Sequence, residues 1–235
     1  MSTDPTLLFI SLMTTKVLRH PEECREIFSV KKIQADLLIN GKGDHSLWRD
    51  SHELSSFSYP WENEKAPFTS FKALHNKDWL YGLFNVMDEN VITYVEKNDK
   101  TDVLNSDRVE IFIKQKDNLS PYFGLEIDPL GRVYDFQAEF TRKFNPAWSW
   151  PVGELIIKTS RTDGGYIVEI AIGKSSLNSL GLLKNKTLHT GLYRAECVQI
   201  VGQKATMKWI SWINPNSPTP DFHVPSSFGV LTLED

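Results

Sequence analysis

The stretch "ELIIKTSRTDGGYIVEIAI", Glu154 to Ile172, decides the fold. Asp163-Gly164-Gly165 is turn chemistry, because these residues accept the positive φ that tight hairpin connections need. On one side stand Leu155 and Ile157. On the other, Tyr166, Val168, Ile170 and Ile172 share one face of a strand, and Ile167, Glu169 and Ala171 share the opposite face. Period-two patterning on both sides of a glycine turn predicts an antiparallel hairpin.

The same pattern extends outward. In "FGLEIDPLGRVYDFQ" (Phe123 to Gln137) two alternating runs flank Asp128-Pro129-Leu130-Gly131, where proline presets the first central dihedral and glycine closes the turn. "SDRVEIFIK" (Ser106 to Lys114) sets Val109, Ile111 and Ile113 against Arg108, Glu110, Phe112 and Lys114, so one face is core and the other is polar and partly aromatic, a place for a ligand. "GLYRAECVQIV", "MKWISWIN" and "SFGVLTLED" continue the strand series, with one short helix near Lys174 to Leu183 crossing between sheets. "HPEECREIF" (His20 to Phe28) reads as at most a short helix, and residues 1–30 as an N-terminal extension packed on a domain spanning 31–235. The predicted class is all-β: a β-sandwich or barrel of short strands.

Composition excludes several roles. The net charge of −4 is spread without a basic stripe, which argues against nucleic acid as a partner. The longest apolar run, Leu7 to Met13, is far short of the roughly 20 residues a membrane span needs. "MSTDP" before it carries Asp4 and no basic residue, so no signal peptide is read; the compartment stays open, with the cytoplasm favoured. Cys24 and Cys197 have no metal-ligand spacing and suit buried thiols as well as one disulfide.

No nucleophile elbow, P-loop, dinucleotide fingerprint or zinc-protease helix is present, and the six histidines show no repeated ligand spacing. An acid and base pair for glycoside hydrolysis has no fixed sequence spacing; Glu110, Glu126, Asp128, Asp135, Glu139 and Glu169 are the available carboxylates, and a binding role suits them better than catalysis. "INGKGDHSLW" (Ile39 to Trp48), with Asp44, is a candidate calcium loop set against an ordinary glycine-rich turn.

Seven tryptophans stand beside these charged strand faces, and flat sugar faces stack on exposed rings while charged side chains bind the hydroxyls. "INGKGDHSLW", "DWLYGLFNVMD", "SDRVEIFIK", "GGYIVEIAI" and "WISWINPNSPTPDFHVPSSFGVLTL", in this order over roughly Leu38 to Leu233, resemble the carbohydrate-binding module family 9 domain of xylanases and its single-domain relatives. The resemblance implies an immunoglobulin-like β-sandwich of two mainly antiparallel sheets with one or two short helices. It also implies oligosaccharide or polysaccharide binding without catalysis, often with structural calcium, in a mostly secreted family. The two tryptophans that clamp sugar in the founding members fall at Leu104 and Phe222 here, while their sugar-contacting glutamate is retained as Glu110. Leucine offers no π face, so the ligand transfers less safely than the fold.

"FNPAWSWP" supplies Trp148 and Trp150 as a replacement platform, the alternative being that one ring packs under the sandwich and the other covers its edge. "PDFHVP" offers Phe222 and His223 in a loop stiffened by prolines, and Arg108, Arg132 and Arg142 are candidate donors. The expected ligand site is therefore Trp148, Trp150, Phe222, His223, Glu110, Arg108 and Arg142. Two other readings stand beside it: haem held between the sheets by Met87 with His189 or His223, and an accessory or catalytic part of a glycoside hydrolase.

Overall fold

The computed structural model describes residues 26–140 and 142–235. Strands β1 to β13 are Ile27–Lys32, Glu53–Leu54, Thr69–His75, Trp79–Met87, Arg108–Lys114, Tyr122–Ile127, Val133–Glu139, Lys143–Asn145, Leu155–Thr162, Gly165–Gly173, Thr187–Val201, Lys204–Ser211 and Gly229–Leu233. The single α-helix among the described residues, α1, is Lys174–Ser179, where the sequence predicts it.

Hydrogen bonding runs β8-β7-β6-β5-β11-β13-β1-β3-β4-β10-β9, with β12 paired to β11 and β2 to β3. β1 divides this order into two layers: its first four residues pair with β13 and its last two with β3, both in parallel. Every other named strand pair is antiparallel. Of the short helix expected over His20 to Phe28, residues 20–25 lie outside the described residues, and Ile27 and Phe28 belong to β1. No helix among the described residues is long and apolar enough to cross a membrane.

Alternation places the core between the layers. Val109, Ile111 and Ile113 of β5 and Phe123, Leu125 and Ile127 of β6 pack toward Tyr166, Val168, Ile170 and Ile172 of β10. Both predicted hairpins form: Ile127 pairs with Val133, Gly131 closes its turn at φ +78° onto Asp128 O at 2.9 Å, and Thr162 pairs with Gly165. Asp128 is buried and binds the Arg132 guanidinium at 2.6 and 2.8 Å, and Arg132 also donates to Tyr94 O at 2.6 Å. Arg132 thus ties loops together at this end of the sheet and is spent on structure.

The outer faces are covered as well. Over β10 lies the segment Ile33 to Trp48, and Glu169, on the strand's outer face, accepts from Trp48 Nε1 at 2.8 Å, Asn40 N at 2.9 Å and Gly41 N at 2.5 Å. This fixes the role of "INGKGDHSLW". Asp44, its only carboxylate, accepts from Asn40 Nδ2 at 2.9 Å, and among the described residues no three His, Cys, Asp or Glu side chains group closely enough to hold a metal. The loop is an anchored turn.

Candidate functional site

The outer face of the first layer carries the site. On β5 the residues opposite in parity to the core are Arg108, Glu110, Phe112 and Lys114, the polar and aromatic face read from the sequence, and all are buried. Cross-strand register continues this face over four neighbouring strands. Glu110 sits between Glu126 of β6 and Tyr193 of β11, Glu126 is followed by Tyr134 of β7, and Arg108 pairs with Ala195, which pairs with Trp209 of β12. Phe112 faces Gly124 and Gly191. Both glycines make room for rings: a Cβ at Gly124 would lie 2.2 Å from the Phe136 ring, and one at Gly191 would lie 1.8 Å from the Tyr193 hydroxyl.

A loop from Pro220 to Ser227 closes over this aromatic floor. Phe222 stacks on Tyr193 at 4.2 Å and 12°, and His223 stacks on Phe112 at 5.0 Å and 26°, its Nδ1 paired with the Tyr122 hydroxyl at 2.9 Å. Tyr193 donates to Ser227 Oγ at 2.8 Å and Ser227 donates to Phe222 O at 2.6 Å, which pins the loop from below. Burial, and next the charge of Arg142, pushes the His223 imidazole down to about 4, so it is neutral at ordinary pH. Arg142 reaches across from the β7–β8 turn to Asp221 at 2.9 Å.

Between loop and sheet is a cleft of about 150 Å³. Its walls are Trp61, Trp209, Pro220 and Phe222, and its polar groups are Arg108, Glu110, Glu126, Arg142, Asp221 and His223. Trp61 leans on Phe222 with centroids 5.4 Å apart and donates to Ser217 O at 2.9 Å; Trp209 meets Phe222 edge-on at 5.8 Å and lies under the Arg108 guanidinium at 5.5 Å. Both tryptophans are half-buried, so each keeps ring surface toward solvent. At the base, Arg108 Nε is 2.9 Å from Glu110 Oε1 and 2.6 Å from Glu126 Oε2.

Five of the seven expected site residues therefore converge: Phe222, His223, Glu110, Arg108 and Arg142. The expected platform of Trp148 and Trp150 does not form. Trp150 is a core residue, 6% exposed, its Nε1 donating to Ser176 Oγ at 3.0 Å and its amide to Asp135 Oδ2 at 2.8 Å. Trp148 packs on Phe123 at 5.0 Å, and the two indoles meet at 83° instead of lying parallel. Phe123 faces the inter-sheet core whereas Glu110 and Glu126 face outward, so the pair is on the other side of the sheet from the cleft. The packing alternative is the observed one.

Trp61, Trp209, Glu126 and Asp221 were missed. A signal existed for Trp209: in "MKWISWIN" alternation separates it from Trp212, which is buried in the core. Trp61 joins the site across more than a hundred residues of chain and leaves no local trace. The haem arrangement is not present, since Met87 follows the core-facing Val86 onto the outer side of the second layer, while His223 lies against the outer face of the first and His189 alternates with core-facing Leu188.

The fold is similar to that of a proposed carbohydrate-binding protein from Bacteroides uniformis, with a TM-score of 0.71 at 20% identity over 90% of this chain and 100% of that one. It is also similar to a carbohydrate binding module family 9 protein from Caldicellulosiruptor kristjanssonii solved with cellotriose, TM-score 0.58 at 16% identity over 89% and 94% of the chains, and to one solved with glucose, TM-score 0.55 at 16% identity over 89% and 96%. A family model described as Carbohydrate family 9 binding domain-like matches residues 39–235. The chain belongs to this family. No curated protein matches it. In this family 9 domain Glu110 lines the cleft and Phe222 is turned onto Tyr193.

Proposed function

We propose that the cleft binds a saccharide without transforming it, one sugar ring resting against Trp61 and Trp209 while Arg108, Glu110, Arg142 and His223 hold its hydroxyls. One observation carries this reading: two half-exposed indoles flank a pocket whose floor is a buried cluster of hydrogen-bonding side chains. Aromatic faces plus a few converging polar groups is the chemistry that recognises a sugar's apolar face and equatorial hydroxyls together. Family membership and structural neighbours solved with cellotriose and glucose support the same ligand class. Phe222 contributes as a spacer, since its face is taken up by Tyr193, and it sets the distance between the two indoles.

Calorimetric titration with cellotriose, glucose and a panel of other oligosaccharides tests the reading. Trp209→Ala removes one stacking face and should weaken binding about tenfold or more, equivalent to about 1.4 kcal/mol. Unchanged affinity in Trp209→Ala, or no saccharide bound by the wild type, would remove the cleft from consideration. Release of chromophore from aryl glycosides would count against a purely binding role.

A further inference from the structure

The floor of the cleft holds two carboxylates against one cation. Glu110 and Glu126 are direct cross-strand partners, so their side chains leave the same face of adjacent strands about 5 Å apart, and both converge on Arg108 Nε. All three are buried. Glu110 Oε1, Glu126 Oε2 and Arg108 Nε meet as ion pairs, and among the described residues they have no well-directed hydrogen-bond partner. Three polar atoms in a buried floor are thus left for a ligand to satisfy.

One guanidinium cannot offset two enclosed carboxylates, and like charges at this range disfavour double ionisation. Burial, and next the Glu126 charge, pushes Glu110 up to about 8 against the pull of Arg108; burial raises Glu126 as well. Among the described residues Arg108 is the cation that acts on the pair. From β7 and β11 the pair is faced by Tyr134 and Tyr193, both phenols held neutral by burial, and from the covering loop by His223, neutral above about 4. Arg142 is engaged by Asp221.

We propose that Glu110 and Glu126 meet the ligand as one acid–carboxylate unit with a single proton between them, the neutral carboxyl donating to a sugar oxygen and the ionised one accepting from a sugar hydroxyl. This rests on the saccharide reading and adds Glu126 as a ligand residue. With one proton held, Arg108 and Arg142 balance Asp221 and one glutamate, so the cleft is neutral overall and selects an uncharged sugar with adjacent hydroxyls over a uronate.

Two measurements test this. Carboxyl ¹³C NMR of the ligand-free protein should show one glutamate titrating near pH 8 in the wild type, and that titration should move to lower pH in Glu126→Gln, where burial still raises Glu110 but no like charge opposes it and Arg108 answers it alone. If both carboxyls titrate below about pH 6, the inference is overturned whatever sugars do. Calorimetry with cellotriose at about pH 6.5 and about pH 9.5 should then show wild-type affinity falling about 30-fold, the loss expected when only the protonated pair binds. In Glu126→Gln the ratio should fall to near one, because an amide donor does not titrate. Wild-type affinity equal at the two pH values, with the NMR titration present, overturns the ligand role of the proton. A present titration with no binding of any saccharide overturns the sugar reading itself.

Discussion

Lowering the pH from about 7.5 to about 4.5 should destabilise the protein through His223. The ring is enclosed by Phe112 at 5.0 Å, Phe144 at 5.2 Å and Tyr122 at 5.9 Å, and Arg142 is the nearest opposing charge, so burial first and Arg142 second hold the imidazole down to about 4. In the unfolded chain the same ring protonates near 6.5. Between those values the unfolded state binds the proton and the native state does not, so stability is fully present above 6.5 and is lost as pH falls toward 4. At about 1.36 kcal/mol per pH unit the ceiling is ~3 kcal/mol; the ring edge still meets solvent, and about 2 kcal/mol is the expected loss. The carboxylate pair below it acts in the opposite sense: a native-state proton retained up to about 8 adds stability as pH falls through the same window. The wild-type pH curve therefore sums two opposing slopes, and His223 is read as a difference. Urea unfolding followed by tryptophan fluorescence at about pH 7.5, 6 and 4.5, for wild type and His223→Gln, isolates it, because glutamine can still pair with Tyr122 and does not titrate. The gap between the two proteins should change by about 2 kcal/mol across the series. Parallel curves would refute the argument that an unprotonated His223 supports the covering loop.

Trp150→Ala should cost about 3–5 kcal/mol in urea unfolding, as truncation of a buried indole with a paired Nε1 does, and should leave saccharide affinity unchanged wherever the variant is folded. Gly124→Ala puts a methyl 2.2 Å from the Phe136 ring in a floor with no space to yield, so a loss of about 1–3 kcal/mol is expected as a lower thermal midpoint. Cys197 is buried and its thiol is pushed up to about 11, by burial first and by Asp107 next; in a Cys24→Ser background it should react with an aromatic disulfide at about pH 8 only at the rate of unfolding, and fast labelling under native conditions would contradict the packing.

What could be read in advance follows from how far each signal travels along the chain. Tyr166, Val168, Ile170 and Ile172 were placed on the core face because parity in a strand is local, and the turns at Asp128–Gly131 and Asp163–Gly165 were legible because their backbone demands are local too. The same parity singled out Arg108 and Glu110 as a polar face. Parity does not say which loop will cover a face. An extended segment would put the rings of Trp148 and Trp150 on one side as a platform, but the chain turns at Asn145 and Pro151, where Trp148 N bonds Asn145 O at 3.2 Å and Glu154 N bonds Pro151 O at 3.1 Å, and Trp150 is buried in the core. Glu126 is visible as a carboxylate; its partnership with Glu110 depends on the β5–β6 register, set by a connection over residues 115–121 that carries turn residues, with Ser120 N bonding Asn118 Oδ1 at 3.1 Å, but is too long for its sequence to fix which residues pair.

Leu104 and Phe222, which the sequence resemblance sets at the two clamp positions, both serve the architecture here: Leu104 O accepts from Arg108 Nη1 at 3.1 Å, and Phe222 is 5% exposed against Tyr193. Neither leaves a free ring face. A cleft that had only lost its clamp would be expected to close or turn polar, yet two indoles from elsewhere in the chain, Trp61 from the segment after β2 and Trp209 from β12, line it within 6 Å of Phe222. Maintaining two half-exposed tryptophans over a buried ionic floor costs stability that a packed apolar plug would recover. The proposed saccharide site would answer for that cost, since a ring with one apolar face and several hydroxyls would meet both the indoles and the ionic floor; on that proposal the stacking surface lies on the strand side of the loop, away from "NPAWSWP".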